Sequence, residues 1–271
     1  MKKLKLIELK KGQKIAVIAA FIMAVLVILS TYMMFGKYDG LGLKMPVEEN
    51  RFHMSNLYYE NGRAVYEDDQ FTSVTGIDVS EFQGEIDWEA VKSDGIGFVM
   101  IRLGFRGSEN CALVLDSKFK ENLKGAKKAG LDVGVYFFSQ AITPEEAIEE
   151  ARYVMKHIRG KGVHYPVAFD MEPIDGTERT ADLTKEEKTA IADAFCQVID
   201  RNGHTPMIYG NPKWMRKHID LGYLSDYDKW LAHYTEATSY KSSFTMWQYT
   251  DSGSVEGIYD PVDMNLYFYN K

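Results

Sequence analysis

Residues 133–172 read VGVYFFSQAITPEEAIEEARYVMKHIRGKGVHYPVAFDME, and this stretch decides the fold class. Val133 to Phe138 is a short apolar run rich in β-branched and aromatic residues, which predicts a strand. Thr143-Pro144-Glu145-Glu146 then supplies an N-cap, a proline at the first helical position and acids in the first turn. These open a helix predicted over Pro144 to Ile158. A second apolar run follows at Val167 to Phe169. Strand, helix and strand in that order form a βα unit, whose two strands run parallel in one sheet.

The same alternation extends in both directions. Strands are predicted at Val74 to Val79, Phe98 to Leu103, Met207 to Tyr209, Trp230 to Ala232, Thr245 to Tyr249 and Met264 to Phe268, about eight in all. Further helices are predicted over Ser117 to Ala129 and Thr184 to Arg201, the latter opened by a capping box in which Glu187 reaches back to Thr184. The later segments are too short for full helices. The predicted fold is therefore α/β, an irregular TIM-like β/α barrel over residues 74–271.

In such a barrel the active site lies at the C-terminal rim of the strands, and the residues that fall there are polar. Asp78 ends the first strand, and Arg102 and Tyr136 lie on the second and third. Asp170 and Glu172 close the fourth, Tyr209 the fifth, Trp230 and Tyr234 the sixth, Gln248 the seventh, and Asp263 begins the last. Residues two apart on a strand face the same side, so Asp170 and Glu172 both enter the barrel mouth. Close carboxylates push their pKa values apart, leaving a protonated acid beside an ionised base. Glycoside hydrolysis needs that pair. A bare Asp-x-Glu is more often a solvated turn, but Asp78 and Asp263 reach the same rim.

A metal site is the rival for clustered acids; no histidine stands beside these on a strand, so no metal or other cofactor is expected. Tyr136, Tyr209, Trp230, Tyr234, Trp247 and Tyr249 offer flat apolar faces with polar edges, suited to sugar rings, although single aromatics are more often core. Arg102 is expected to orient one of the carboxylates, and His233 to serve as a hydrogen-bonding residue.

At these residues the sequence resembles glycoside hydrolase family 25. The matching pieces are Gly76-Ile77-Asp78-Val79-Ser80 with Trp88 following, Phe98-Val99-Met100-Ile101-Arg102, Gly134-Val135-Tyr136-Phe137-Phe138, Asp170-Met171-Glu172, Ile208-Tyr209, Trp230-Leu231-Ala232-His233-Tyr234, Trp247-Gln248-Tyr249 and Val262-Asp263-Met264-Asn265. The resemblance implies a metal-free muramidase, a lysozyme that cleaves the β-1,4 bond between N-acetylmuramic acid and N-acetylglucosamine in peptidoglycan. It further implies that Glu172 is the general acid, Asp170 the neighbouring carboxylate that stays ionised, and Asp78 and Asp263 the other acids of the pocket. Tyr136, Tyr209, Trp230, Tyr234, Gln248 and Arg102 are the expected substrate contacts. A hydrolase of another amino-sugar polymer such as chitin, or a non-catalytic wall-binding barrel, are the alternatives.

Ahead of the barrel, residues 15–35 read IAVIAAFIMAVLVILSTYMMF without a charge. As a helix they would extend about 31 Å, enough to cross a bilayer core of about 30 Å. Lys2, Lys3, Lys5, Lys10, Lys11 and Lys14 precede them, against Glu8 alone. The positive-inside rule keeps residues 1–14 cytoplasmic and puts the barrel outside the membrane. A cleaved signal peptide would have a shorter apolar region and a small-x-small site, whereas Tyr32-Met33-Met34-Phe35 stands there. Residues 36–73 read as a stalk, with a hairpin at Leu57 to Tyr66 turning on Asn61-Gly62.

Composition narrows the partners. With 45% hydrophobic and 26% charged residues the chain is that of a folded protein, and a net charge of −7 argues against nucleic acid. A monomer is expected. Cys111 and Cys196 are too few for a disulfide framework and lack the spacing of a zinc site, although one bridge between them stays open in an exported domain.

Overall fold

The computed structural model describes residues 46–173 and 178–271. Residues 46–271 form one compact unit. The expected basic tail, membrane span and first part of the stalk lie outside the described residues. Among those described, no helix is long and apolar enough to cross a membrane.

This unit opens with a two-stranded hairpin, β1 (Leu57–Glu60) and β2 (Arg63–Tyr66), followed by β3 (Phe71–Val79). Asn61 and Gly62 both take positive φ, 51° and 79°, as the two-residue turn requires. The described part of the expected stalk is folded against the barrel. Tyr66 packs edge-on against Phe268, and Phe52 stacks on Phe268 at 4.1 Å. Phe52, Ala64 and Tyr66 are buried there, and each large ring contributes about 1.5–3 kcal/mol toward holding residues 46–73 on the barrel.

The remaining elements alternate. After β3 come α1 (Trp88–Ser93), β4 (Phe98–Arg106), β5 (Leu113–Leu115), α2 (Phe119–Lys128), β6 (Asp132–Phe138), α3 (Pro144–Ile158) and β7 (Val167–Asp170). There follow α4 (Lys185–Arg201), β8 (Pro206–Gly210), α5 (Pro212–His218), β9 (Asp228–Ala232), β10 (Met246–Gly253) and β11 (Val262–Asn270). The helix starts are those the sequence predicts. Thr143 Oγ1 accepts from Glu146 N at 3.2 Å, and Thr184 and Glu187 form the reciprocal capping box.

The sheet order is β3-β11-β10-β9-β8-β7-β6-β4-β5, and β3 also pairs with β4, which closes eight strands into a barrel. β5 is a short antiparallel addition to the end of β4. One strand departs from the expected parallel arrangement: β11 runs antiparallel to both β10 and β3. The reason is the connection, since residues 254–261 are too few for a crossover of a dozen or more residues and suffice only for a reversal.

Two apolar layers result. Helices pack on the outside of the sheet, while Phe98, Met100, Met207, Trp230 and Met246 fill the lumen. Small residues face these large ones. A Cβ at Gly76 would lie 2.3 Å from the Phe98 ring, and one at Gly134 2.4 Å from Met100 Sδ, so both positions need glycine for the lumen to close.

Candidate active site

The reversal of β11 is what completes the site. Its first residues lie level with the C-terminal ends of the parallel strands, and Asp263 stands in register opposite Asp78 of β3. Asp170 is the last residue of β7, and Glu172 lies two residues beyond. Alternation persists past the strand end: Met171 is buried in the outer core, while Glu172 is partly exposed and shares the mouth with the other acids.

Asp78 is buried and accepts two amide hydrogen bonds on Oδ2, from Gln248 Nε2 at 2.8 Å and Asn265 Nδ2 at 2.7 Å. Burial raises its pKa to about 6, against the pull of those two donors and of a hydrogen bond from Asp263. Asp263 is pushed up to about 8 by burial and by the charge of Asp78, so it holds the proton of that bond. Burial and the field of Asp263 raise Glu172 to about 7. Asp170 is raised well above the usual carboxylate range by burial, then by Glu172 and Asp78, and its Oδ1 is buried without a partner. Burial and the neighbouring charges thus work against the ionised state expected of Asp170. Asp78 is the acid of the four whose ionised form two amide donors favour.

The expected sugar contacts divide. Tyr234 is 50% exposed and donates its hydroxyl to Gln248 Oε1 at 3.0 Å, while Tyr209 donates to the same atom at 2.9 Å. Gln248 is thus occupied at both ends of its amide, holding Asp78 and two tyrosines, rather than free for substrate. Trp230 is only 1% exposed; its Nε1 donates to Asn265 Oδ1 at 2.7 Å and its ring packs against Tyr209 and Tyr136. It forms the floor beneath the acids, so it makes no direct sugar contact. Tyr136 is partly buried within the fields of Asp78, Asp170 and Asp263. Trp247 and Tyr249 are core, and His233 Nδ1 bonds Thr238 Oγ1 at 2.8 Å.

Arg102 does not orient any of the four acids. It donates from Nε to Asp116 at 2.8 Å and from a terminal nitrogen to Glu81 at 2.9 Å, with Phe82 packed on its guanidinium. Its charge still reaches Asp170, where it opposes the upward shift. Arg179 pins the chain where it returns after Glu172, donating to Gln140 O and Glu146. Asn265 is the functional side chain that the sequence reading passed over. It lies two residues beyond Asp263 on one strand, so period-2 alternation places both on the same face, and that signal was available. No disulfide joins the two cysteines; Cys111 is exposed and Cys196 buried.

A closed β/α barrel with four convergent carboxylates at its mouth defines a glycosidase class of site. Glycosyl hydrolases family 25 matches residues 77–258, and the chain belongs to that family; it is a glycoside hydrolase. It is similar to YegX of Escherichia coli O6:H1, 27% identical over 198 residues that cover 72% of this chain and 70% of YegX. It is also similar to Lysozyme M1 of Streptomyces globisporus, 28% identical over 206 residues, 72% of this chain and 68% of that protein. The fold is similar to that of the modular autolysin LytC from Streptococcus pneumoniae, with a TM-score of 0.65 and 22% identity over 79% of this chain. The match covers 52% of that autolysin, so the chain spans about half its length.

Proposed function

We propose that this glycoside hydrolase is a muramidase, cleaving the β-1,4 bond between N-acetylmuramic acid and N-acetylglucosamine in peptidoglycan. The observation that carries the mechanism is the meeting of Asp78 and Asp263 in register at the strand ends, with two amide donors on Asp78 and with Asp170 and Glu172 at the end of β7. Glu172, raised to about 7, keeps its proton at mildly acidic pH and gives it to the leaving glycosidic oxygen. Asp78, held by Gln248 and Asn265, is the anion that faces the positive charge developing at the anomeric carbon. Asp263 donates to Asp78, while burial beside Glu172 and Asp78 disfavours a charge on Asp170. Mass spectrometry of digested peptidoglycan tests the bond assignment. New reducing ends on muramic acid support it; ends on N-acetylglucosamine, or activity on chitin alone, overturn it.

We further propose that residues 15–35 anchor the enzyme in a membrane, with the lysine-rich tail in the cytoplasm and the barrel outside, next to its polymer. The uncharged length of that segment and the six lysines before it support this topology. Protease added to wall-stripped cells should remove the barrel while the protein stays with the membrane fraction. Protection of residues 74–271 would overturn the orientation, and release of the intact barrel into the medium would replace the anchor with a cleaved signal.

A further inference from the structure

The hairpin β1–β2 precedes residues 77–258, the part of the chain that matches the family, yet it borders the rim of the barrel. Between its turn and the rim lies a groove of about 740 Å³, lined on one side by Tyr59, Asn61 and Arg63 and on the other by Tyr234, Glu236 and Asp251. That volume is within the roughly 300–1,000 Å³ typical of ligand sites. Tyr234 belongs to both places, since its hydroxyl bonds the same Gln248 that holds Asp78. Met264, the neighbour of Asp263, also lines the groove.

We propose that the hairpin forms one wall of an extended glycan groove, which holds sugars of the strand beyond those at the carboxylates; this rests on the muramidase reading. Two aromatic faces stand ready. Tyr59 is 44% exposed with its hydroxyl fixed on Glu236 O at 3.0 Å and its edge against Tyr249, and Tyr234 is fixed through Gln248. A ring held in place and still open to solvent stacks on a sugar at little entropic cost. Asn61, Thr235 and Ser252 add neutral donors and acceptors for hydroxyl and acetamido groups. Glu236, Asp251 and Glu256 accept from sugar hydroxyl and acetamido N–H groups, whereas Arg63 is already paired with Asp94. The chemistry fits the hydroxyl and acetamido edges of a glycan strand whose lactyl groups point to solvent.

The test compares peptide-free glycan oligomers of four and eight sugars, measuring kcat/KM on the full chain and calorimetric binding in parallel. Tyr59→Ala should lower kcat/KM on the octamer about three- to tenfold and leave the tetramer unchanged. Tyr59→Phe should restore it, because the ring is kept, and Asn61→Gly should give a smaller, length-dependent loss with the turn intact. Equal loss on both lengths, or none on either, overturns the groove. So does a loss confined to peptide-bearing octamers, which would give the groove to the stem peptide. If the parent enzyme cleaves neither oligomer, the muramidase reading fails, and weaker octamer binding by Tyr59→Ala still decides the groove.

Discussion

Asn265 Nδ2 lies 2.7 Å from Asp78 Oδ2, a bond between the last strand of the barrel and the first. Its other amide atom accepts from Trp230 Nε1, so one buried side chain ties a carboxylate to the floor of the site. Asn265→Leu keeps the volume and removes both bonds. A hydrogen bond to a charged group contributes about 1.5 kcal/mol, close to one pKa unit. The Asp78 anion is needed, and activity falls as pH drops through its pKa of about 6. The acidic limb of the rate profile should therefore move up by about one unit, with turnover at pH 6 lowered about fivefold. An unshifted acidic limb would remove Asp78 from the role of anion.

The alkaline limb belongs to the proton donor. Glu172 is raised to about 7 by burial and next by Asp263, so activity should fall as pH rises through that value. Asp263→Asn takes away the share of negative charge that Asp263 carries across its hydrogen bond with Asp78, and that share opposes ionisation of Glu172. Its pKa then drops, and the alkaline limb should move to lower pH. Movement in the opposite direction would assign that limb to another group.

Glu172→Gln keeps the shape of the side chain but has no proton to give. Turnover should fall by about 10²–10⁴ while oligosaccharide binding survives. Near-parent digestion of peptidoglycan would move the acid to Asp78 or Asp263.

The same substitution should make the fold more stable at alkaline pH. Glu172 has a folded pKa of about 7 against an ordinary 4.5, so between those values the folded chain holds more protons than the unfolded one. Stability then falls as pH rises through that window and stays lower above it. Removing the group should raise Tm at pH 8 by about 4–8 °C, from roughly 2 kcal/mol after discounting its partial exposure, with little change at pH 4. Thermal melts at the two pH values check this. An equal gain at both would indicate repacking in place of proton linkage.

Chelation should leave turnover unchanged. Asp78 Oδ2 is taken by two amide donors, and the remaining acids hold their protons toward neutrality, where a cation would have to displace them. Loss of activity in EDTA, restored by a divalent ion, would make the cluster a metal site.

What the sequence determined by itself is local. The Thr143 and Thr184 caps, the Asn61-Gly62 turn and the apolar runs specify backbone angles and faces within a few residues, and each element formed where its own residues call for it. The alternation of strands and helices leads to a barrel, and the acids at strand ends mark its mouth, for the same short-range reason. Tertiary structure alone decided what those acids touch. Asp78 meets Asn265 across 187 positions because an eight-residue connection forces β11 to reverse and close the sheet, a consequence of reach that no window of sequence contains. Trp230 became floor instead of sugar platform, and Arg102 turned to Asp116, since burial and ion pairing depend on which strands end up adjacent. Residues 46–73 folded onto the barrel for the same reason. Their polar stretches look like a linker until Phe52 and Tyr66 find Phe268, and that apolar surface exists only once β11 is in place.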